Sequence, residues 1–140
     1  MFQTSPPEGA PDLGNSIPKV ILVVDDEALI LEVLALVLQS EGYAVVPHAT
    51  GSGALDWLNR HRADLLLLDF MMPVLDGAAV GRAVRERPET AALPIVVSSA
   101  LPERTVRGRF AGFDAYLQKP YEMERLLATI ARLLADQARD

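Results

Sequence analysis

The chain of 140 residues contains no cysteine, which removes disulfides and thiolate metal sites from consideration and fits a reducing compartment. Cations are sparse: 13 Lys and Arg face 19 Asp and Glu, for a net charge of −6, and no run of Lys or Arg occurs. Binding to nucleic acid or anionic lipid is driven by clustered cations, so neither partner is expected. Long apolar runs are also missing, none approaching the ~20 residues of a membrane span. The first residues, MFQTSPPEGAPDLGNSIP, have neither a basic start nor an apolar core of a leader. No membrane association and a cytoplasmic location are the expectations. Aromatic residues make up only 6%, yet aliphatic ones bring the apolar share to 50%, enough for the single core of one domain.

Residues 1–18 hold four of the ten prolines and two of the nine glycines, a composition that cannot offset its own ordering entropy, and a flexible tail is expected there. The domain is then expected over 19–137. Five short apolar runs follow: VILVVD (20–25), YAVVPH (43–48), LLLLD (65–69), PIVVSS (94–99) and AYLQ (115–118). Their lack of alternation suits strands covered on both faces, and the helical patterning between them suits parallel crossovers. The fold expected is α/β: a five-stranded, doubly wound parallel sheet of the (βα)5, flavodoxin-like kind, strand order 2-1-3-4-5. The last helix is the most regular, with Met123, Leu126, Leu127, Ile130, Leu133 and Leu134 on one face.

The stretch LLLLDFMMPVLDG, residues 65–77, runs four leucines into a carboxylate, Asp69. An ionised carboxylate buried alone is costly, so Asp69 is expected exposed at the mouth of its strand, with a partner or a task. Ligand crevices of doubly wound sheets lie at the carboxyl ends of the strands. There the sequence sets Asp25 and Asp26 after the first strand, Asp69 after the third, Ser98 and Ser99 on the fourth, and Lys119–Pro120 after the fifth. Each has a duller reading alone: a helix cap for the acids, a backbone-bonded hydroxyl for Ser99, a solvated charge for Lys119. Their coincidence at consecutive strand ends favours a joint role. Three clustered carboxylates call for a cation, and Mg²⁺ takes carboxylate, water and phosphate oxygens. An Asp can be the nucleophile toward phosphorus, with metal, ammonium and hydroxyl spread over the equatorial oxygens.

Carrying VVDDE, LLLLDFMMPVLDG, PIVVSSA and AYLQKPY in this order, the chain resembles the CheY-like receiver domains of two-component response regulators from Lys19 to about Asp136. The resemblance implies that Asp69 accepts a phosphoryl group from a phosphohistidine of a sensor histidine kinase or histidine phosphotransfer protein. It implies Mg²⁺ held by Asp26, Asp69 and the Met71 carbonyl, with Asp25 acting through a water. Ser99 and Lys119 would contact the phosphoryl group, Tyr116 would be the aromatic switch that turns inward, and the Lys119–Pro120 peptide would be cis. The same likeness places Met71 and Leu101, each two residues beyond a key group, where receiver side chains orient the hydrolytic water.

Some features depart from the family pattern. The segment from Ser99 to Lys119 is about two residues short and carries Gly108 in its helix, so a short, loosely formed fourth helix is expected. In the first helix Ile30, Leu31, Leu34 and Leu38 suffice for the core, which leaves Leu29, Val33 and Leu36 as a second apolar stripe, a face for a kinase, a phosphotransfer helix or a second copy in a homodimer. One helix follows the last motif, so a stand-alone receiver that acts through a partner is expected. The enzyme alternative, a small Mg-dependent phosphohydrolase with an Asp nucleophile, needs a second acid two residues after the first, where this chain has Met71. A nucleotide-binding module would need a Gly-rich loop where the chain has DDEALI.

Overall fold

The computed structural model describes residues 17–138, so most of the expected tail, 1–16, lies outside the described residues. Ten elements alternate: β1 (Val20–Val24), α1 (Ala28–Ser40), β2 (Ala44–His48), α2 (Gly51–Leu58), β3 (Leu65–Asp69), α3 (Gly77–Glu86), β4 (Ile95–Ser99), α4 (Glu103–Arg109), β5 (Ala115–Gln118) and α5 (Met123–Ala138). All strand pairs are parallel, in the order β2-β1-β3-β4-β5. Pro47 lies on β2, an edge strand, where its missing N–H costs no interior ladder bond.

The unbroken apolar runs are explained by the two faces of the sheet. Leu22, Val24, Leu66, Leu68, Ile95 and Val97 pack under α2, α3 and α4. Their neighbours Ile21, Val23, Leu65, Leu67 and Val96 pack under α1 and α5. Each successive side chain changes face, and both faces are covered, so every position along the strand is apolar. On α1 the core takes Leu34 and Leu38, fully or nearly buried. Ile30, expected in the core, is 37% exposed and joins the outer stripe: the helix is apolar almost all round, and its rotation is set by packing rather than by pattern. Among the described residues no helix is long and apolar enough to cross a membrane.

One arginine closes the lower side of the α3 layer. Arg85 donates Nε to the Gly112 carbonyl at 2.9 Å, Nη1 to the carbonyls of Ala91 at 3.1 Å and Leu93 at 2.6 Å, and Nη2 to Asp114 Oδ2 at 3.0 Å. That carboxylate oxygen also accepts the N–H of Ile95 at 2.8 Å, at the start of β4. Replacing Arg85 with Ala strands these acceptors and is expected to lower unfolding free energy by about 2–4 kcal/mol in urea titration. Lys in its place recovers less than half, because one ammonium cannot reach partners on three segments.

Candidate functional site

The order in which strands are added reverses between β1 and β3, and the register there sets the site. Val24 lies beside Leu68, so Asp25, the next residue, faces Asp69 across the switch point. The Asp25 carboxylate divides its work: Oδ1 accepts the Glu27 N–H at 2.9 Å, holding the entry to α1, while Oδ2 faces the Lys119 ammonium at 3.7 Å. Lys119 follows β5, two strands from β3, a gap of about 9–10 Å that a long side chain must span. Its Nζ reaches Asp69 Oδ1 at 3.4 Å. Carboxylate oxygens of Asp25, Asp26 and Asp69 all lie within 4.8 Å of one another.

One ammonium thus serves two carboxylates, and the electrostatics follow. Burial works against the charge of Lys119, but Asp69 and Asp25 together outweigh it and hold its pKa above the ordinary lysine value. Asp69 has the worse position: burial first, then Asp25, raise its pKa to about 6, and Lys119 offsets only part of this. A donor set made only of hard oxygens, with too little positive charge, fits a hard divalent cation. Asp69 is not exposed as expected. It is 5% exposed, at the floor of the cleft, while Asp26 stands at the exposed rim.

Residues 70–76 form the lip. Phe70 is fully buried, Met71 is 53% exposed, and the Gly77 N–H returns to the Phe70 carbonyl at 2.9 Å. A Cβ at Gly77 would come within 2.6 Å of the Phe70 Cα, so only glycine lets α3 start this close to the strand end. Asp76 begins the helix, its Oδ1 accepting the Ala79 N–H at 3.0 Å. Val74, wholly exposed, has φ of 67°, a conformation β-branched residues rarely adopt. On the far side of the cleft Ser99 is 1% exposed, and its Oγ accepts the Leu101 N–H at 3.0 Å. The Tyr116 hydroxyl donates to the Leu101 carbonyl, its ring 5.8 Å from that of Phe113. The Lys119–Pro120 peptide is cis.

A family model for the response regulator receiver domain matches residues 21–131. The chain belongs to the response regulator receiver domain family. Among curated relatives, the phosphate regulon transcriptional regulatory protein PhoB of Rhizobium meliloti is 38% identical over 120 residues, 84% of this chain and 52% of that protein. The response regulator MprA of Mycobacterium avium is 44% identical over 117 residues, 81% of this chain and 50% of that protein. The chain spans about half the length of the curated relatives it matches. Among solved structures, the receiver domain of the sensor histidine kinase PA1611 of Pseudomonas aeruginosa, with a magnesium ion coordinated in its active-site cleft, has a TM-score of 0.77 and 30% identity over 85% of this chain and 99% of that one. The response regulator TrrA of Thermotoga maritima, in complex with Mg(2+)-BeF, has a TM-score of 0.75 and 30% identity over 82% of this chain and 98% of that one.

The receiver brings Asp25, Asp26, Asp69 and Lys119 within a few ångströms, with Ser99 on the neighbouring strand. Leu29, Val33 and Leu36 lie apart from this cluster, on the outer face of α1, at 72%, 45% and 67% exposure. Helix α4 is short, as expected, yet it is anchored by the buried Val106 and closed by Phe110, whose ring occupies the space beside Gly81. Sequence reasoning missed Arg109, which binds the lip of the cleft from α4. Its partner Asp76 is 33 positions away, and no local pattern marks the pair.

Proposed function

We propose that this receiver accepts a phosphoryl group from a phosphohistidine onto Asp69, catalyses that transfer itself, and changes its surface as a result. The observation that carries this is the meeting of three carboxylates within 4.8 Å with an ammonium at 3.4 and 3.7 Å, at the switch point of the sheet. Asp26, Asp69 and the Met71 carbonyl would hold Mg²⁺ directly, and Asp25 through a water. Bound there, the metal supplies charge neutralisation for the transferring group. The Asp69 carboxylate attacks phosphorus while the donor imidazole leaves with its electron pair. The Lys119 ammonium and the Ser99 hydroxyl, once released from the Leu101 N–H, hold the phosphoryl oxygens. That release would loosen the segment to which Tyr116 is tied, which gives Tyr116 its part in the switch.

The unit doing this is residues 19–137. Its donor would be a sensor histidine kinase or a histidine phosphotransfer protein, docking on the outer stripe of α1, where Leu29, Val33 and Leu36 expose apolar surface at helical spacing. A second copy of the chain is the other occupant to test. Leu36→Glu should leave the fold intact and slow transfer from the donor by about tenfold, while phosphorylation by a small-molecule donor stays unchanged. Equal transfer rates would remove the stripe from the docking face.

The proposal is tested by stoichiometry. With acetyl phosphate and Mg²⁺ the protein should take up at most one phosphoryl group per chain, whereas a phosphohydrolase would clear many equivalents of a phosphate ester. Met71, at the position where such an enzyme needs its second acid, agrees with the receiver.

A further inference from the structure

We propose that Arg109 is a positioning residue for the metal site: through one guanidinium, α4 fixes the setting of the loop that follows Asp69. Arg109 Nη2 donates to Asp76 Oδ2 at 3.0 Å, and the guanidinium carbon lies 5.2 Å from the centre of the Phe70 ring. Its backbone carbonyl accepts Arg82 Nη1 at 3.0 Å, which ties the end of α4 to α3. The two contacts grip both ends of residues 70–76. Phe70 is covalently next to Asp69, and Asp76 caps α3 through its other oxygen, bound to the Ala79 N–H at 3.0 Å. Between the two grips lies Met71, whose carbonyl is the backbone ligand in the metal site proposed above, on which this inference rests.

Elsewhere in the lip Met72 is buried and Leu75 packs against the core, but the residues on either side of Met72 stand in solvent. Met71 is 53% exposed, Val74 is fully exposed with φ of 67°, and Gly77 contributes no side chain. A loop pinned at Phe70 and Met72 but exposed at Met71, Pro73 and Val74 can still set its Met71 peptide in more than one way, and metal affinity falls with the share of settings that aim the carbonyl correctly. Groups that orient metal ligands from behind change affinity without touching the metal. Arg109 and Asp76 are 47% and 34% exposed, so their ion pair adds little to overall stability, and the variants should fold. Coupling of this kind is reciprocal: a partner that displaces α4 loosens the metal, and loading of the cleft favours the α4 placement seen here.

The test is Mg²⁺ affinity by calorimetry, with hydrogen exchange of the 71–77 amides measured in chelator. Arg109→Ala should weaken Mg²⁺ about three- to tenfold and speed exchange in that loop. Asp76→Asn keeps an oxygen to cap α3 but removes the charge facing Arg109, and should reproduce part of the loss. In that background Arg109→Ala should cost less than it does alone. Arg104→Ala, also on α4, serves as the control and should match wild type. Wild-type affinity in Arg109→Ala overturns the proposal, as does a loss that comes without faster exchange in the loop. Asp26→Asn separates the two levels: if it too keeps wild-type affinity, the metal site itself is wrong, whereas if it alone loses Mg²⁺, only the role of Arg109 fails.

Discussion

Replacing Met71 with Asn and Leu101 with Glu together should shorten the life of the phosphorylated receiver, by up to about 10²-fold. Hydrolysis of an aspartyl phosphate needs a water held in line behind phosphorus, and a side chain that orients and deprotonates that water speeds its attack. Met71 stands on the lip two residues past Asp69 and is 53% exposed, and its thioether offers water no strong acceptor. Leu101 begins beside the hydroxyl on the opposite wall, its N–H bound to Ser99 Oγ at 3.0 Å. Neither side chain can orient or deprotonate a water, so wild type should hold its phosphoryl group long. Each single change should act less than the pair. Decay after donor removal, at constant Mg²⁺, gives the four lifetimes, and a wild type that decays as fast as the double variant would show that side-chain polarity at these positions is irrelevant.

A second large effect is expected on the metal-free fold. Asp69 has a pKa raised to about 6 from 3.8, so the folded state holds this proton more tightly than the unfolded chain does. The sign follows from linkage: the stabilising contribution is complete below the unfolded value, near 4, and is lost as pH rises through about 6. At about pH 8 in chelator the ionised Asp69 costs on the order of 3 kcal/mol. Asp69→Asn should remove that cost and be more stable than wild type by about that amount, with the gap closing near pH 4. Mg²⁺ acts in the same direction on wild type alone, by RT ln(1 + [L]/Kd), and Asp26→Asn should lose most of this gain. Below about pH 6 the proton competes for Asp69, so Mg²⁺ affinity should fall as pH falls. Urea titrations of the three proteins over pH, with and without Mg²⁺, check all of this. A variant Asp69→Asn no more stable than wild type at high pH would mean that Lys119 compensates the site fully.

The parts of this site that were legible in the sequence share a cause. Strand ends are marked by the residue at which an apolar run stops, and in VILVVDD, LLLLD and AYLQK that residue or the next is charged. Each strand lies within a residue or so of its apolar run, because burial on both sheet faces demands continuity. Other features depend on tertiary packing. Asp69 was expected at an exposed mouth, but Phe70, the α3 start at Gly77 and Lys119 enclose it. Ile30 was placed in the core because an all-apolar helix offers no polar face from which to judge its rotation. The Arg109–Asp76 and Arg85–Asp114 pairs join residues 33 and 29 positions apart, and each half looks like an ordinary helix or loop charge in its own segment.

The most direct measurement is to locate the phosphoryl group chemically. Borohydride reduces an aspartyl phosphate to homoserine, so a receiver labelled with acetyl phosphate and Mg²⁺, then reduced and digested, records the acceptor as a mass change in one peptide. The account predicts homoserine at Asp69 and at no other position, with none in Asp69→Asn. Homoserine at Asp25 or Asp26 in wild type, or label that persists in Asp69→Asn, would contradict it.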